Sequence, residues 1–259
     1  MRLSPLAHRL ATTHTHKPWA RLLSATSSSH FHELRERSLL RHVVTNATEN
    51  QPESVLQAMD DYWDTYFNGA GTAEWKLRSN AIDAAIKNAD PNYVMELGTY
   101  CGYTAVRVGR LLKPGSTLVS IEIEPLFAAI ATKVVEYAGL SDTITVRIGS
   151  VMDQLGPVQD KVGKRPLDAL LLDHDMSSFL PDLRYLEEHK AIGKNTAVLC
   201  DWNMYPGADD PLPEEKAPRY GEEFLQYMKK FAESKDLNTT RHVLNDKDVF
   251  SVSTWSGVV

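Results

Sequence analysis

The chain has 259 residues, of which 42% are hydrophobic and 24% charged, as is typical of one α/β domain with a substantial core. A formal net charge of −6 and the lack of a basic stripe argue against a nucleic-acid partner. No apolar run approaches the roughly 20 residues of a membrane-spanning helix, so no membrane span is predicted. The two cysteines, Cys101 and Cys200, are too few for a disulfide framework and are interpreted as reduced core thiols.

The N-terminal segment 1–32 has a composition of its own. It is rich in basic and hydroxyl side chains, and the first acidic residue of the chain is Glu33. Such a composition is typical of a mitochondrial transit peptide, although a disordered tail without an address would look the same. We therefore expect a disordered or targeting segment over 1–32, one folded domain over 33–259, and a cytoplasmic or mitochondrial location.

Apolar residues spaced three and four apart predict three N-terminal helices, over 31–44, 52–67 and 75–89. After Pro91, strand-like and helical runs alternate, which predicts βα units and a parallel sheet covered on both faces. The predicted strands are "YVMELG", "TLVSIEIE", "ITVRIG", "LDALLLD" and "TAVLCDW". Downstream we expect a proline-rich loop from residue 203, an amphipathic helix over 221–235, and an antiparallel hairpin of "TTRHVLN" and "VFSVSTW". The fold class is thus α/β, doubly wound, with an N-terminal helical cap.

The segment "ELGTYCGYT" (96–104) follows the first predicted strand and opens a helix. Gly98 and Gly102 are four apart, which matches neither the dinucleotide fingerprint nor a P-loop. Glycines here allow a backbone to approach a ligand closely, although they are also common in plain turns. Glu122 ends the second strand, where an acid suits the two hydroxyls of a ribose. Glu96 would repel a phosphate and attract a sulfonium or ammonium centre, which favours S-adenosylmethionine as the ligand.

The segments "MELGTYCGYTAVRVGRLLKPGSTLVSIEIEP", "VVEYAGLSDTITVRIG", "LLLDH…LPDL" and "PGA" resemble the catechol O-methyltransferase family. The "ESVLQAMDDY" helix does too, and the resemblance covers roughly 36–257. It implies a seven-stranded, mostly parallel Rossmann-like sheet with an antiparallel last strand. It also implies transfer of a methyl group from S-adenosylmethionine to a hydroxyl of a small, catechol-like aromatic acceptor, assisted by Mg²⁺ and by a lysine that takes the proton.

The resemblance assigns cofactor contacts residue by residue. Glu96 matches the acid near the methionine end, and Glu122 the acid at the ribose. His174 matches a family histidine beside the cofactor, with a purely structural imidazole as the alternative. The predicted contacts are Gly69 (with Phe67 as its alternative), Glu96, Gly98, Tyr100, Thr104, Glu122, Ile123, Gly149, Ser150, Val151, Met152, Asp173 and His174.

The metal ligands are predicted from two strand tips. Asp173 and Asp201 end neighbouring predicted strands and carry the hard oxygen atoms that Mg²⁺ prefers, although both could be ordinary polar strand ends. The family's third ligand, an asparagine, aligns with Trp202, whose indole offers only an N–H donor. Asn203 is the next residue and is predicted as the third ligand.

The catalytic residues are where the sequence departs from the family. The family's lysine aligns with Met176, whose thioether cannot accept a proton at neutral pH. We predict Asp175 as a replacement base, and His242 near the place of the family's glutamate that holds the second hydroxyl. Three hypotheses follow: an active metal-dependent O-methyltransferase, a cofactor-binding protein that has lost catechol chemistry, and a methyltransferase of other chemistry that works by proximity alone.

Overall fold

The structure is a computed structural model that describes residues 29–69, 72–201, 239–243 and 249–255. Within these residues, three helices precede the sheet: α1 (Ser29–Asn46), α2 (Pro52–Tyr66) and α3 (Thr72–Ala89). Pro52 lies in the first turn of α2, where its missing N–H has no helical partner to lose. The predicted helical cap is therefore present, although α1 begins inside the segment that the sequence assigned to a disordered or targeting tail.

Seven strands form one sheet in the order β3-β2-β1-β4-β5-β7-β6. All neighbours from β3 to β5 are parallel, whereas β7 runs antiparallel to both β5 and β6. The predicted doubly wound sheet with an antiparallel last strand is confirmed. The strands are β1 (Tyr93–Leu97), β2 (Thr117–Glu122), β3 (Ile144–Ile148), β4 (Ala169–Leu172), β5 (Ala197–Asp201), β6 (Thr239–Val243) and β7 (Val249–Thr254).

Helices alternate with the parallel strands and cover both faces of the sheet. They are α4 (Tyr103–Gly109), α5 (Pro125–Tyr137), α6 (Val151–Val162) and α7 (Met176–Glu188). One core packs α1–α5 against alternate strand residues such as Val94 and Leu171, and the other packs α6 and α7 against Met95 and Leu170. Strands buried on both faces explain the continuous apolar runs in the sequence. Cys101 lies in the first core and Cys200 in the second, both as buried thiols.

The strand order reverses at β1, which has β2 on one side and β4 on the other. In open parallel sheets, ligands bind beside such a reversal, outside the carboxyl ends of the strands. Glu96, Glu122, Asp173 and Asp201 all lie at this edge. No helix in the described ranges is long and apolar enough to cross a bilayer. The predicted 221–235 helix, Trp202, Asn203 and the loop after them lie outside the described residues.

Candidate active site

Gly98 sits where the loop after β1 meets the loop after β4. Its φ is +95°, and a Cβ built there would lie 2.2 Å from the carbonyl oxygen of Asp173 and 2.9 Å from the Cα of His174. The sequence interpretation gave this glycine a close approach to a ligand; the structure shows a close approach to protein backbone. Gly102 similarly packs on Ala131 of α5, with its built Cβ 3.2 Å from the Ala131 Cα. These glycines let the loops of the site pack tightly against one another.

Glu96 is a buried carboxyl on β1 with one oxygen satisfied and one not. The Ser120 hydroxyl donates to Glu96 Oε2 and is itself bonded to Thr99, whereas Oε1 has no hydrogen-bond partner among the described residues. Burial raises the pKa of the Glu96 carboxyl to about 8, against the opposing effect of the Ser120 hydrogen bond. A buried polar atom without a partner is costly, so Oε1 is suited to a donor or cation supplied by a ligand.

Glu122, at the end of β2, forms a hydrogen bond that holds the loop 98–102 after β1. We call this segment the glycine loop. Its Oε2 accepts the Tyr100 N–H at 2.7 Å, and its Oε1 accepts the Glu124 N–H at 2.9 Å. The first bond holds Tyr100 at a φ of +48°, which L-residues rarely adopt. Each carboxylate oxygen has a further lone pair, so the predicted contact with ribose hydroxyls is chemically compatible with these bonds.

The Tyr100 side chain lies in an aromatic and ionic shell behind the glycine loop. Its hydroxyl donates to Glu36 and accepts from Arg35 Nη2 at 3.2 Å. Its ring lies 6.2 Å from the ring of Trp63 and 4.9 Å from that of Phe127. Burial raises the pKa of the Tyr100 phenol well above its ordinary value, so this hydroxyl is a hydrogen-bonding group and not a proton source for catalysis. Tyr100 therefore supports the loop through its side chain.

Asp173 and Asp201 meet at the carboxyl ends of β4 and β5, where each is bound to Arg78 of α3. Arg78 Nη2 lies 2.6 Å from Asp173 Oδ2, and Arg78 Nε forms an ion pair with Asp201 Oδ2. The side chains are 3% exposed for Arg78, 15% for Asp173 and 4% for Asp201. Arg78 Nη1 also reaches Thr104 Oγ1 at 3.5 Å. The two predicted metal ligands thus do come together, but around a guanidinium.

This arrangement does not fit a resident Mg²⁺. Magnesium requires near-octahedral oxygen ligands at about 2.1 Å, whereas Oδ2 of both acids is occupied by a buried cation of fixed charge. Over the described residues, no group of three or more His, Cys, Asp or Glu side chains is placed to hold a metal ion. The third predicted ligand, Asn203, lies outside those residues. The prediction of Asp173 and Asp201 as metal ligands did not include their ion pairs with Arg78, and it stays a prediction.

The loop between β3 and α6 combines a helix cap with an apolar surface. Ser150 caps α6 in a reciprocal capping box: its hydroxyl donates to Asp153 Oδ2 at 2.6 Å, while the Asp153 N–H is bonded back to it. Val151 is 2% exposed and packs in the core, and its predicted contact with the cofactor stays a prediction. Ile123, directly after β2, is 75% exposed and Met152, in the first turn of α6, is 52% exposed, as apolar contacts of an adenine would be.

Replacing Ser150 with alanine should lower the free energy of unfolding by about 1 kcal/mol, since it removes the N-cap of α6. Cofactor affinity, measured by calorimetry, should change little, because the hydroxyl is already committed to Asp153. Urea unfolding provides the first measurement. Ser141→Ala, at an exposed turn, is the control and should stay within about 0.5 kcal/mol of the parent. A loss of cofactor affinity without a loss of stability would instead support the predicted contact between Ser150 and the cofactor.

His174 and Asp175 follow Asp173 but differ in environment. His174 Nε2 lies 2.9 Å from Asp182 Oδ2, its ring packs 5.0 Å from Phe179, and its buried Nδ1 has no hydrogen-bond partner among the described residues. The pairing supports the structural reading of this imidazole, while Nδ1 still suits a ligand. Asp175 is exposed directly before α7, and its carbonyl accepts the Ser178 N–H at 2.9 Å. The predicted base thus lies in solvent at the site's edge.

Two predicted site residues lie on other elements, Gly69 after α2 and His242 on β6. Gly69, with a φ of +76°, follows α2, and its N–H is bonded to the Asp64 carbonyl at 2.9 Å, which places it in the turn that ends the helix. His242 lies on β6 opposite Phe250 of β7, and Phe250 in turn lies opposite Asp201. His242 is therefore in the same cross-strand row as Asp201, about 10 Å away at two strand spacings. Both assignments stay predictions.

Arg78 is the site residue that the sequence interpretation missed. It shares a helical face with Trp75, Ile82 and Ile86, spaced three and four apart, and its guanidinium lies 4.9 Å from the Trp75 ring. An arginine on an otherwise apolar helical face is a signal, because buried arginines are nearly always paired with acids. The pattern could thus have predicted that Arg78 is buried and paired with an acid, but not which acids it binds.

Comparison with known proteins shows the family of this chain. A family profile described as "O-methyltransferase" matches residues 78–208, and the chain belongs to that O-methyltransferase family. Within it, the chain is similar to catechol O-methyltransferases. The Bos taurus protein is 36% identical over 201 residues, which cover 76% of this chain and 69% of the relative; the Mus musculus protein is 36% identical over 205 residues, which cover 75% of each. The resemblance noted in the sequence is confirmed.

Solved structures agree on the fold. The O-methyltransferase TomG from Streptomyces achromogenes, solved in complex with SAM, aligns with a TM-score of 0.53 at 21% identity over 69% of this chain and 79% of that one. The Bacillus cereus O-methyltransferase, solved in complex with SAH, gives a TM-score of 0.54 at 15% identity over 93% and 98%. At these identities the likeness concerns the fold.

Proposed function

We propose that this O-methyltransferase moves a methyl group from S-adenosylmethionine to a hydroxyl of a small, catechol-like aromatic acceptor. The observation that carries the cofactor assignment is Glu96, a buried carboxyl with one unpartnered oxygen at the strand reversal. A sulfonium or ammonium group would meet that oxygen favourably. The exposed side chains of Ile123 and Met152 supply an apolar surface suited to the adenine. Similarity to catechol O-methyltransferases supports the acceptor class.

S-adenosylmethionine supplies an electrophilic methyl group on a sulfonium sulfur. The chain's own residues would bind and orient it: Glu96 would interact with its cationic end, and Glu122, which holds the loop after β1, would offer lone pairs to the ribose. The acceptor hydroxyl gives its proton to a base as its oxygen bonds to the methyl carbon and the carbon–sulfur bond breaks. Asp175, exposed at the edge of the site, is the proposed base, with His242 the second candidate. No step passes through magnesium, because Asp173 and Asp201 are held on Arg78.

The proposal is tested with methyl-labelled S-adenosylmethionine and a panel of catechols. The purified chain should transfer label to at least one catechol and to none of the matched arenes that lack hydroxyls. Asp175→Asn should lower kcat by about 10²-fold if that acid takes the proton, while Asp160→Asn, an exposed acid on α6, should leave kcat unchanged. Calorimetry with the cofactor is run in parallel.

A second function is favoured by one observation, the methionine at position 176 where the family has a lysine. In that case the chain would bind the cofactor without methylating catechols. Cofactor binding by calorimetry, with no label transferred to any hydroxyl in the panel, would reject the proposed reaction and support this alternative. Failure to bind the cofactor at all would reject both.

A further inference from the structure

The guanidinium of Arg78 is placed as a bridge between two acids from different strands. One edge of the group, formed by Nε and Nη2, faces both carboxylates, with Nη2 at 2.6 Å from Asp173 Oδ2 and Nε paired with Asp201 Oδ2. The third nitrogen, Nη1, reaches Thr104 Oγ1 at 3.5 Å. Charge-assisted bonds of this kind are directional, so the arginine fixes the separation of the acids as well as their charge.

The electrostatic need for a cation at this point is strong. Two carboxylates brought together out of water repel each other, and each resists ionisation unless a positive charge lies between them. A divalent ion is one solution, and a buried arginine is another, since its guanidinium stays protonated at all ordinary pH values. Arg78 is only 3% exposed, and its guanidinium lies over the Trp75 ring. It is therefore a buried, packed side chain and not a mobile surface residue.

We propose that Arg78 is the resident cation of this site, that it replaces the divalent metal which the family resemblance implies, and that methyl transfer by this chain runs without one. The inference rests on the proposed function only for the transfer itself; the competition between Arg78 and a metal ion stands independently. Arg78 acts as a positioning residue, because it holds Asp173 and Asp201 and through Thr104 touches the predicted cofactor pocket.

The test is metal binding, measured by the loss of the free Mn²⁺ signal in electron paramagnetic resonance, with S-adenosylhomocysteine and catechol present. The parent protein should bind no Mn²⁺ at this site. Arg78→Ala removes the guanidinium that both acids bind, so its affinity for Mn²⁺ should rise at least about tenfold. Arg107→Ala is the matched control: it removes a mostly buried arginine from Asp83, an acid that keeps Arg110 as a partner, and should gain no Mn²⁺ binding.

The metal dependence of methyl transfer and a second variant of Arg78 provide further tests. Methyl transfer by the parent protein should be unchanged by EDTA and unchanged by added Mg²⁺. If Arg78→Ala does not fold, Arg78→Gln replaces it; the glutamine amide keeps N–H donors but carries no positive charge, so Mn²⁺ affinity should again rise. Stoichiometric Mn²⁺ binding by the parent protein, abolished by Asp201→Asn, would overturn the proposal.

The proposed methyl transfer and the proposed role of Arg78 can be refuted separately. A parent protein that binds no Mn²⁺ and transfers no methyl group would refute the proposed reaction and leave Arg78 as the resident cation. A parent protein that transfers methyl groups, but only with a bound divalent ion, would refute the role of Arg78 and leave the reaction standing.

Discussion

Alanine at position 98 is expected to lower the free energy of unfolding by more than about 3 kcal/mol. The added Cβ would lie 2.2 Å from the Asp173 carbonyl oxygen and 2.6 Å from its carbonyl carbon, and both are backbone atoms that cannot rotate away. The φ of +95° adds the cost of a conformation that L-residues avoid. Relief of the contact would push β4's loop outward and carry Asp173 with it, so cofactor affinity should fall as well.

Gly115→Ala separates the two contributions. Gly115 has a similar φ of +85°, but a Cβ there would meet nothing within 4 Å. It should therefore cost about 1 kcal/mol, the backbone term alone. Urea unfolding of both variants measures the difference, and calorimetry with S-adenosylhomocysteine measures the affinity. If both substitutions lower the free energy of unfolding equally, the contact between the added Cβ and Asp173 does not contribute to the loss.

Much of the fold could be predicted from periodicity. Strands such as Tyr93–Leu97 and Ala169–Leu172 are buried along their whole length, and their apolar runs are what a parallel sheet between two helical layers requires. The acids at strand ends were predictable for a related reason: the carboxyl edge of a parallel sheet is solvent-facing and gathers ligands, so an acid such as Glu122 ending an apolar run signals a site.

The pairing of those acids could not be predicted. Arg78 is 95 residues from Asp173 and 123 from Asp201 in the sequence, and its choice of partners depends on how α3 packs across the strand ends. No periodicity within α3 contains that information. The sequence predicts that the two acids lie close together, but not that an arginine lies between them. That arginine is the reason for our proposal of a metal-free reaction.

Three residues that the sequence assigned to the ligand also have structural roles that could not be predicted, while their contacts with the cofactor stay predictions. Gly98 makes room for protein backbone, Ser150 caps α6, and Val151 fills the core. Each residue type suits either role, because small residues and hydroxyls serve tight turns and helix caps as well as they serve ligands. Only the three-dimensional neighbours decide between the two.

The contribution of one buried carboxyl, that of Glu96, to the stability of the protein is expected to fall as pH rises from about 4.5 to about 8. Burial raises its pKa from the ordinary 4.5 to about 8, with Asp173 and Glu122 adding to the rise and Ser120 and Arg78 opposing it. Between these values the folded protein keeps a proton that the unfolded chain releases, so unfolding becomes easier by up to about 1.4 kcal/mol per pH unit. Below the window both states are protonated, and above it both are ionised.

Glu96→Gln removes this dependence, because glutamine stays neutral in both states. The stability of the parent protein relative to Glu96→Gln, from urea unfolding across the window, should therefore decline by a few kcal/mol between about pH 5 and about pH 8. Glu53→Gln, at a side chain that is 77% exposed, should show no such decline relative to the parent. A flat difference for Glu96→Gln would mean that the folded protein already holds this carboxyl ionised.

The same proton links pH to the cofactor. A sulfonium near Glu96 favours the ionised carboxylate, so binding of S-adenosylmethionine should release a proton below about pH 8 and strengthen as pH rises. S-adenosylhomocysteine has a neutral thioether in that place, so its affinity should gain less over the same range. Calorimetry in buffers of different ionisation enthalpy counts the proton released. In Glu96→Gln, the affinities for S-adenosylmethionine and S-adenosylhomocysteine should depend on pH in the same way. If S-adenosylmethionine still binds more tightly as pH rises while S-adenosylhomocysteine does not, another group carries the proton.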